Sequence, residues 1–312
     1  MNPTTAETAR AEIPWVTARP TRFTEALVRT VLFPRVIVRH WDLIWTTVKR
    51  ELEARFTGTL LGWLWPLVHP LFLFCVYYFV FANLLNMKFP DLPDGYEASM
   101  GVFMFVGIAA FAAHAETVVR GTGVITDNGN LIKKLAFPSE VLPLNLTIAN
   151  AVTLCFTLAV FLLACALTPM WPFPGISVLW IAPILFVQMM FTFGLALFLS
   201  TLHVFLRDTI QFVGMFMTAW MFATPLFWSP ELTLDAEMQE RWMPLITANP
   251  LYHAVAAWRG ALMGDLVVGG TAYVSTADIG HHLLVFLPWA VGSYVIGHVF
   301  FVLSQRRFAD EV

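Results

Sequence analysis

Charge is what this chain has least of: 12% of its 312 residues are Asp, Glu, Lys or Arg, about half the share of an ordinary soluble domain. So thin a polar shell excludes a water-soluble globular fold. Cysteine is nearly missing as well. Cys75, Cys155 and Cys165 all fall inside apolar stretches, which argues against a disulfide framework or a zinc cluster and leaves them as small packing residues. No Gly-x-x-x-x-Gly-Lys-Ser/Thr loop is present, and the lone Gly121-x-Gly123 follows a helix instead of a strand. The chain is therefore not built to cradle ATP in that manner. Ser and Thr residues show neither a nucleophile elbow nor an ordered triad spacing. The first 35 residues carry Pro14, Pro20 and Pro34 among scattered Arg, with no apolar segment ahead of a small-residue cleavage site. No cleaved signal peptide is expected, and the N-terminus should stay in the cytosol. Nucleic acid is not an expected partner.

Apolar surface is abundant instead. Hydrophobic residues make up 58% of the chain and the mean hydropathy is +0.70, values of a polytopic membrane protein. A bilayer core asks for about 20 mostly apolar residues per helix. Six segments qualify: Trp63 to Leu85, Ser99 to Val119, Val141 to Leu167, Ile176 to Phe205, Ile210 to Trp228 and Ile279 to Leu303. Six spans sort the cations strongly. Arg10 to Arg55, Arg120, Lys133, Lys134, Arg207, Arg306 and Arg307 share one side, whereas the other holds only Lys88, Arg241 and Arg259 among many acids. Both termini are expected on the basic, cytoplasmic side.

Ahead of the first span, apolar residues recur at Ile37, Trp41, Ile44, Trp45, Val48, Leu52 and Phe56, between charged residues that include Lys49, Arg50, Glu51 and Arg55. That period predicts one amphipathic helix lying in the interface. Gly58 and Gly62 follow it. They could let helices approach closely, supply backbone freedom at a hinge, or merely let the chain turn into the bilayer. On the same side, Asp127, Asn128 and Asn130 open a loop whose apolar and basic core contains Leu131, Lys133, Lys134 and Phe137 before Pro138; it predicts a short helix lying across the loop. On the opposite side, Asn249 and Pro250 give an N-cap followed by Pro at the first helical position, then a stripe of Leu251, Val255, Trp258 and Leu262. At about 14 residues this helix is too short to cross, so it reads as re-entrant or interfacial. Arg259 is expected near its far end, where the helix dipole favours a cation.

Glu116 is the one acid inside an expected span, and Arg120 four residues on suggests a local ion pair. The histidines are scattered; only His281 and His282 adjoin, and neighbours point to different helix faces. Aromatic residues make up 15% of the chain. Girdles and lipid-facing packing account for most of them. A minority, drawn from Trp63, Trp65, Phe72, Tyr77, Tyr78, Phe103, Phe105 and Phe111, are candidates to line a path in which a sugar chain slides over apolar faces.

These pieces resemble the transmembrane subunit of a type-2 ABC exporter, nearest the permeases that export O-antigen, with capsule and teichoic acid permeases as relatives. The likeness runs from about Arg39 and rests on KRELEARFTGTLLGWLWPLVHPL at 49–71, DNGNLIKKLAFPSEVLP at 127–143, FLRDTIQFV at 205–213, TPLFWSPE at 224–231 and NPLYHAVAAWRGALMG at 249–264. The resemblance implies an all-α polytopic fold of six transmembrane helices, with an N-terminal interface helix, a cytoplasmic coupling helix and outer re-entrant helices between spans five and six. It divides the chain into a cytoplasmic extension (1–36), interface helix and hinge (37–62) and transmembrane domain (63–312). It implies a non-catalytic permease of the bacterial inner membrane, paired with a second copy and two ATPase subunits. ATP and Mg would be bound there, with no cofactor in this chain. Membrane lipids surround it, and the cargo would be a polyprenyl-pyrophosphate-linked polysaccharide. Asp127, Asn128, Asn130, Leu131, Lys133, Lys134 and Phe137, with Arg50, Glu51 and Arg55, would then face the ATPase, while Asn249, Pro250, Trp258 and Arg259 would belong to the exit. The alternatives are capsule, teichoic acid or galactan export by the same mechanism, and a membrane-embedded enzyme of lipid-linked sugar metabolism.

Overall fold

The computed structural model describes residues 22–85, 89, 99–134, 138–167, 171–268 and 271–312. Helices dominate them: α1 (Phe23–Arg39), α2 (Trp41–Phe56), α3 (Trp65–Tyr77), α4 (Ser99–Asp127), α5 (Gly129–Lys134), α6 (Val141–Leu167), α7 (Ile181–Phe205) and α8 (Thr209–Ala223). After them come α9 (Pro230–Thr233), α10 (Ala236–Ala248), α11 (Pro250–Met263), α12 (Ile279–Ser304) and α13 (Phe308–Glu311). One feature departs from the all-helical expectation. Leu266–Val268 (β1) and Thr271–Val274 (β2) pair antiparallel between α11 and α12. Their β-branched residues flank Gly269 and Gly270, a composition that favours a tight hairpin.

Four helical stretches are long and apolar enough to cross a membrane: Ser99–Asp127, Val141–Leu167, Gly175–Phe205 and Ile279–Arg307. The protein is thus a multi-pass membrane protein, with four of the six expected spans meeting the length among the described residues. The other two are shorter, for local reasons. In the first expected span, a 3-10 turn at Gly62–Leu64 leads into α3, which carries Pro66 near its start, and α3 passes into a π-helical stretch, Tyr78–Leu84. The fifth is α8, whose 15 residues cover roughly 22 Å against a hydrocarbon core of about 30 Å. It stops because Thr224 precedes Pro225 and takes an extended conformation, as a residue before proline prefers.

Helices α4, α7, α11 and α12 form the centre. Gly194 of α7 and Gly297 of α12 bring two backbones together, and a methyl group at Gly297 would overlap the Gly194 carbonyl. At the basic end, the expected single interface helix is in fact two. His40 departs from helical geometry between α1 and α2, and α1 begins well before Ile37. Ile44, Val48 and Leu52 of α2 are buried in a cluster with Val141, Leu142 and Leu144 of α6. Trp41 and Trp45 remain exposed on its other side, with the Lys49 ammonium 5.6 Å from the Trp45 ring centroid. Part of the apolar stripe read as membrane-facing is therefore a protein contact.

Candidate functional site

Four charges join α2 to α4 at the basic end. The Glu116 carboxylate accepts from Arg55 at 3.2 Å and from Arg120 at 3.3 Å, while Glu51 accepts from Arg55 at 3.5 Å and is also paired with Arg120. Signs alternate round this ring. The expected Glu116 and Arg120 pair is present, and its α2 partners are what the linear sequence conceals. Half-exposed pairs of this kind each stabilise by only about 0.2–1 kcal/mol. They tie α2 to α4 about 10 Å from the α4 end, next to which α5 begins.

Asp127 is the last residue of α4, so the expected loop helix is shorter than the 127–137 segment and runs Gly129–Lys134. Asn128 turns the chain by donating its side-chain amide to the Val124 carbonyl at 2.8 Å. Leu131 and Ile132 pack on the cluster that holds Phe308, beside Val312, leaving Asn130 and Lys133 exposed along with Arg50 of α2. The Lys134 side chain and Phe137 lie outside the described residues. Gly58 and Gly62 take φ of +79° and +48°, and nothing lies within 4 Å of where a Cβ would be. Backbone conformation, not close helix approach, explains them inside the protomer.

At the acidic end, Asn249 caps α11 as its sequence foretells, its side-chain oxygen accepting from Leu251 N–H at 3.0 Å. It also accepts from Trp220 Nε1 at 2.8 Å and donates to Thr224 Oγ1 at 2.9 Å, fastening α11 to the end of α8. Pro250 follows at the first helical position. Trp258 is wholly buried and donates to Gln188 Oε1 at 2.6 Å, and Gln188 donates in turn to the Ala110 carbonyl at 2.8 Å.

Arg259 corrects the simple dipole expectation. It is 6% exposed, donates to the carbonyls of Phe103 at 3.2 Å and Leu226 at 3.1 Å, and lies 3.3 Å from the Phe103 ring centroid. It is a rivet between α11, α4 and the segment after α8. Burial pushes its pKa down to about 9, with the Glu231 carboxylate opposing the shift; it stays cationic at neutral pH.

The histidines are less scattered than their spacing implies. His253 Nε2 lies 2.8 Å from the Thr247 carbonyl, which can only accept, so His253 Nδ1 is the acceptor toward His282 Nδ1 at 3.0 Å. His253 thereby spends both ring nitrogens on holding α11 to α10 and α12, while His282 also borders a cavity. This cavity, of about 340 Å³, is lined as well by Glu231, Tyr252, Tyr273, Asp278 and His281. Among the described residues, no group of three His, Cys, Asp or Glu is placed to hold a metal.

The aromatic candidates separate into two sets. Phe103, Phe105 and Phe111 are buried and packed against α6, α7 and α11, with Phe103 bordering the cavity of about 340 Å³ and Phe105 the smaller one beside Tyr77. Phe72 and Trp65 are exposed, and Tyr77 and Tyr78 half-buried. Tyr77 borders a cavity of about 130 Å³ that also meets Glu116 and Asn150. Trp63 has no described side chain. Tyr78 owes its place to Gly101, where an added Cβ would come within 3.2 Å of the Tyr78 Cα. Sequence reasoning missed the buried polar residues Gln188, Thr30 and His298, whose visible signal was a polar side chain inside or beside an apolar run.

Comparison with known proteins agrees with this architecture. The chain is similar to the O-antigen export system permease protein RfbA of Klebsiella pneumoniae, 27% identical over 274 residues that cover 86% of this chain and 95% of the relative. Its similarity to the protein of the same name from Myxococcus xanthus is 26% over 278 residues, covering 89% of this chain and 98% of the relative. The family model described as "ABC-2 type transporter" matches residues 42–263, from the second residue of α2 to the last of α11. The chain belongs to the ABC-2 type transporter family.

Proposed function

We propose that this chain is the channel-forming transmembrane subunit of an ATP-driven exporter that carries a polyprenyl-pyrophosphate-linked polysaccharide, O-antigen in the first instance, across the bacterial inner membrane. The observation that carries the reading is similarity to O-antigen export permeases over 95–98% of their length. The gathering of cations at one end supports a cytoplasmic position for that end and for both termini. Two copies pair around one path, and two copies of a separate ATPase bind below.

In this mechanism the ATPase presses on α5 and the exposed face of α2 around Arg50. The Glu51, Arg55, Glu116 and Arg120 ring makes α2 and α4 move as one body, and Gly58 and Gly62 let α3 swing. Trp65, Phe72, Tyr77 and Tyr78 offer the sliding apolar contacts for sugar rings. At the far end α11 closes the exit, held by Asn249, Trp258 and Arg259. No residue of the chain is asked to do chemistry.

The test is reconstitution of the full chain with its ATPase and measurement of hydrolysis with lipid-linked oligosaccharides. Stimulation by an O-antigen carrier lipid is expected. Stimulation only by teichoic acid, capsule or galactan precursors would transfer the reading to those cargoes. Failure of every lipid-linked glycan to stimulate, with the complex intact, would overturn it. Unchanged export after alanine replacement of Tyr77 and Tyr78 would remove these two from the path.

A further inference from the structure

Helix α1 lies outside the matched family region, since Phe23–Arg39 precedes residue 42. It has two apolar stripes. Ala26, Thr30 and Phe33 are buried, with Ala26 against Val299 and Val302 of α12 and Phe33 stacked on Phe193 of α7. Phe23, Val31 and Val38 share a second face, roughly 100° round the helix from the first, with Leu27 at its inner edge partly buried against the α12 contact. Here Phe23 is 60% exposed, Val31 76% and Val38 77%. Arg35 and Arg39 border that second face, and neither pairs with a carboxylate among the described residues.

Contacts with α12 set the level of α1. Thr30 Oγ1 is 3.0 Å from His298 Nδ1, Tyr294 donates its hydroxyl to the Thr30 carbonyl at 2.8 Å, and Arg29 reaches Glu140 at 3.1 Å and Gln305 at 3.3 Å. The helix thus crosses α12 between Tyr294 and Gln305, about 15 Å of a spanning helix at its basic end. In the same stretch α12 itself exposes Ile296 and Leu303. An apolar stripe held beside the end of a spanning helix meets acyl chains, and unpaired guanidinium groups along its edge meet lipid phosphates.

We propose that α1 is a second membrane-surface helix, with Phe23, Val31 and Val38 sunk in the basic-end leaflet and Arg35 and Arg39 holding the phosphates of anionic phospholipids. The inference stands on the placement of α1 against α12 and does not depend on which cargo is exported.

The test uses the full chain with Cys75, Cys155 and Cys165 replaced by Ala and a fluorescent label on Val31→Cys, in nanodiscs of phosphatidylcholine with or without about one third phosphatidylglycerol. Spin-labelled lipid should quench this label at least about twofold more than the same label on Glu25→Cys, on the polar face. Phosphatidylglycerol should increase the quenching, and R35Q/R39Q should abolish the increase. Equal quenching at the two positions, or no response to phosphatidylglycerol, overturns the proposal. So does a Val31 label shielded from both lipid and aqueous quenchers, because a protein surface would then cover the stripe. The unaltered chain gives a second measurement that needs no cysteine replacement. Its Phe23–Arg39 amides should exchange hydrogen about tenfold more slowly in phosphatidylglycerol-containing discs, and identical exchange counts against anionic lipid.

Discussion

Arg259→Met tests the rivet at the α11 end. Methionine fills much of the same space but donates nothing, so the Phe103 and Leu226 carbonyls lose partners now 3.2 and 3.1 Å away. A hydrogen bond from a charged donor contributes about 1.5–3 kcal/mol, and the guanidinium lying 3.3 Å from the Phe103 ring centroid adds about 0.5–2 kcal/mol. Against these stands the desolvation of a 6% exposed cation, an opposing cost of several kcal/mol that methionine removes. The net expectation is a loss of roughly 2–4 kcal/mol, because neither carbonyl gains a replacement donor. For a chain of this size that lowers the thermal midpoint by about 3–6 °C. The assay is thermal unfolding of the purified full-length chain in one detergent at one scan rate. Arg259→Lys should fall between parent and Met, since an ammonium keeps the charge but cannot fork to two carbonyls. A Met variant that melts with the parent, or a Lys variant indistinguishable from it, refutes the reasoning.

Three further outcomes are expected. Glu51→Arg alone should uncouple ATP hydrolysis from transport with little loss of stability, and E51R/R120E should restore coupling by re-forming the 51–120 pair beside the unaltered Arg55–Glu116 pair; a double variant no better than the single would deny the α2–α4 linkage a role. Ala at Gly58 or Gly62 should destabilise by about 1–2 kcal/mol through backbone strain alone, because φ is positive and the space open; limited proteolysis across 57–62 is the readout, and an unaltered pattern would count against it. Gly297→Ala should melt well below the parent because its methyl meets the Gly194 backbone, whereas Gly292→Ala, with nothing within 4 Å, should melt with the parent; equal midpoints for the two would reject the close α7–α12 approach.

Local signals were readable where they concern backbone chemistry. Asn249 with Pro250 announced the start of α11, because a cap acts on its own neighbours, whereas the fifth expected span runs through Pro225 to Trp228 although a proline disfavours helix at the residue before it, and α8 ends at Ala223. Periodicity was less reliable at Ile44, Val48 and Leu52. An apolar stripe next to a membrane satisfies itself equally against lipid or α6, and no property of the stripe chooses between them. The same ambiguity holds for Phe103, Phe105 and Phe111, since core and path aromatics are identical as letters and only packing shows that these three are buried. His253 and His282 stand 29 residues apart in the chain and met only through the packing of α11 on α12.

The sequence by itself determined that this is a multi-pass helical membrane protein with its cations gathered at one end, because hydropathy and charge are sums over side chains and need no partner. At Gly58 and Gly62 it left close helix approach and backbone freedom both open, and only the positive φ of each in the structure chose the latter. Only the tertiary structure decided that Arg259 is a rivet, that four charges tie α2 to α4, and that the chain before Ile37 is a helix docked on α12. Each of these depends on which distant backbone carbonyl, carboxylate or helix face comes within hydrogen-bond or contact range, and that is settled by packing.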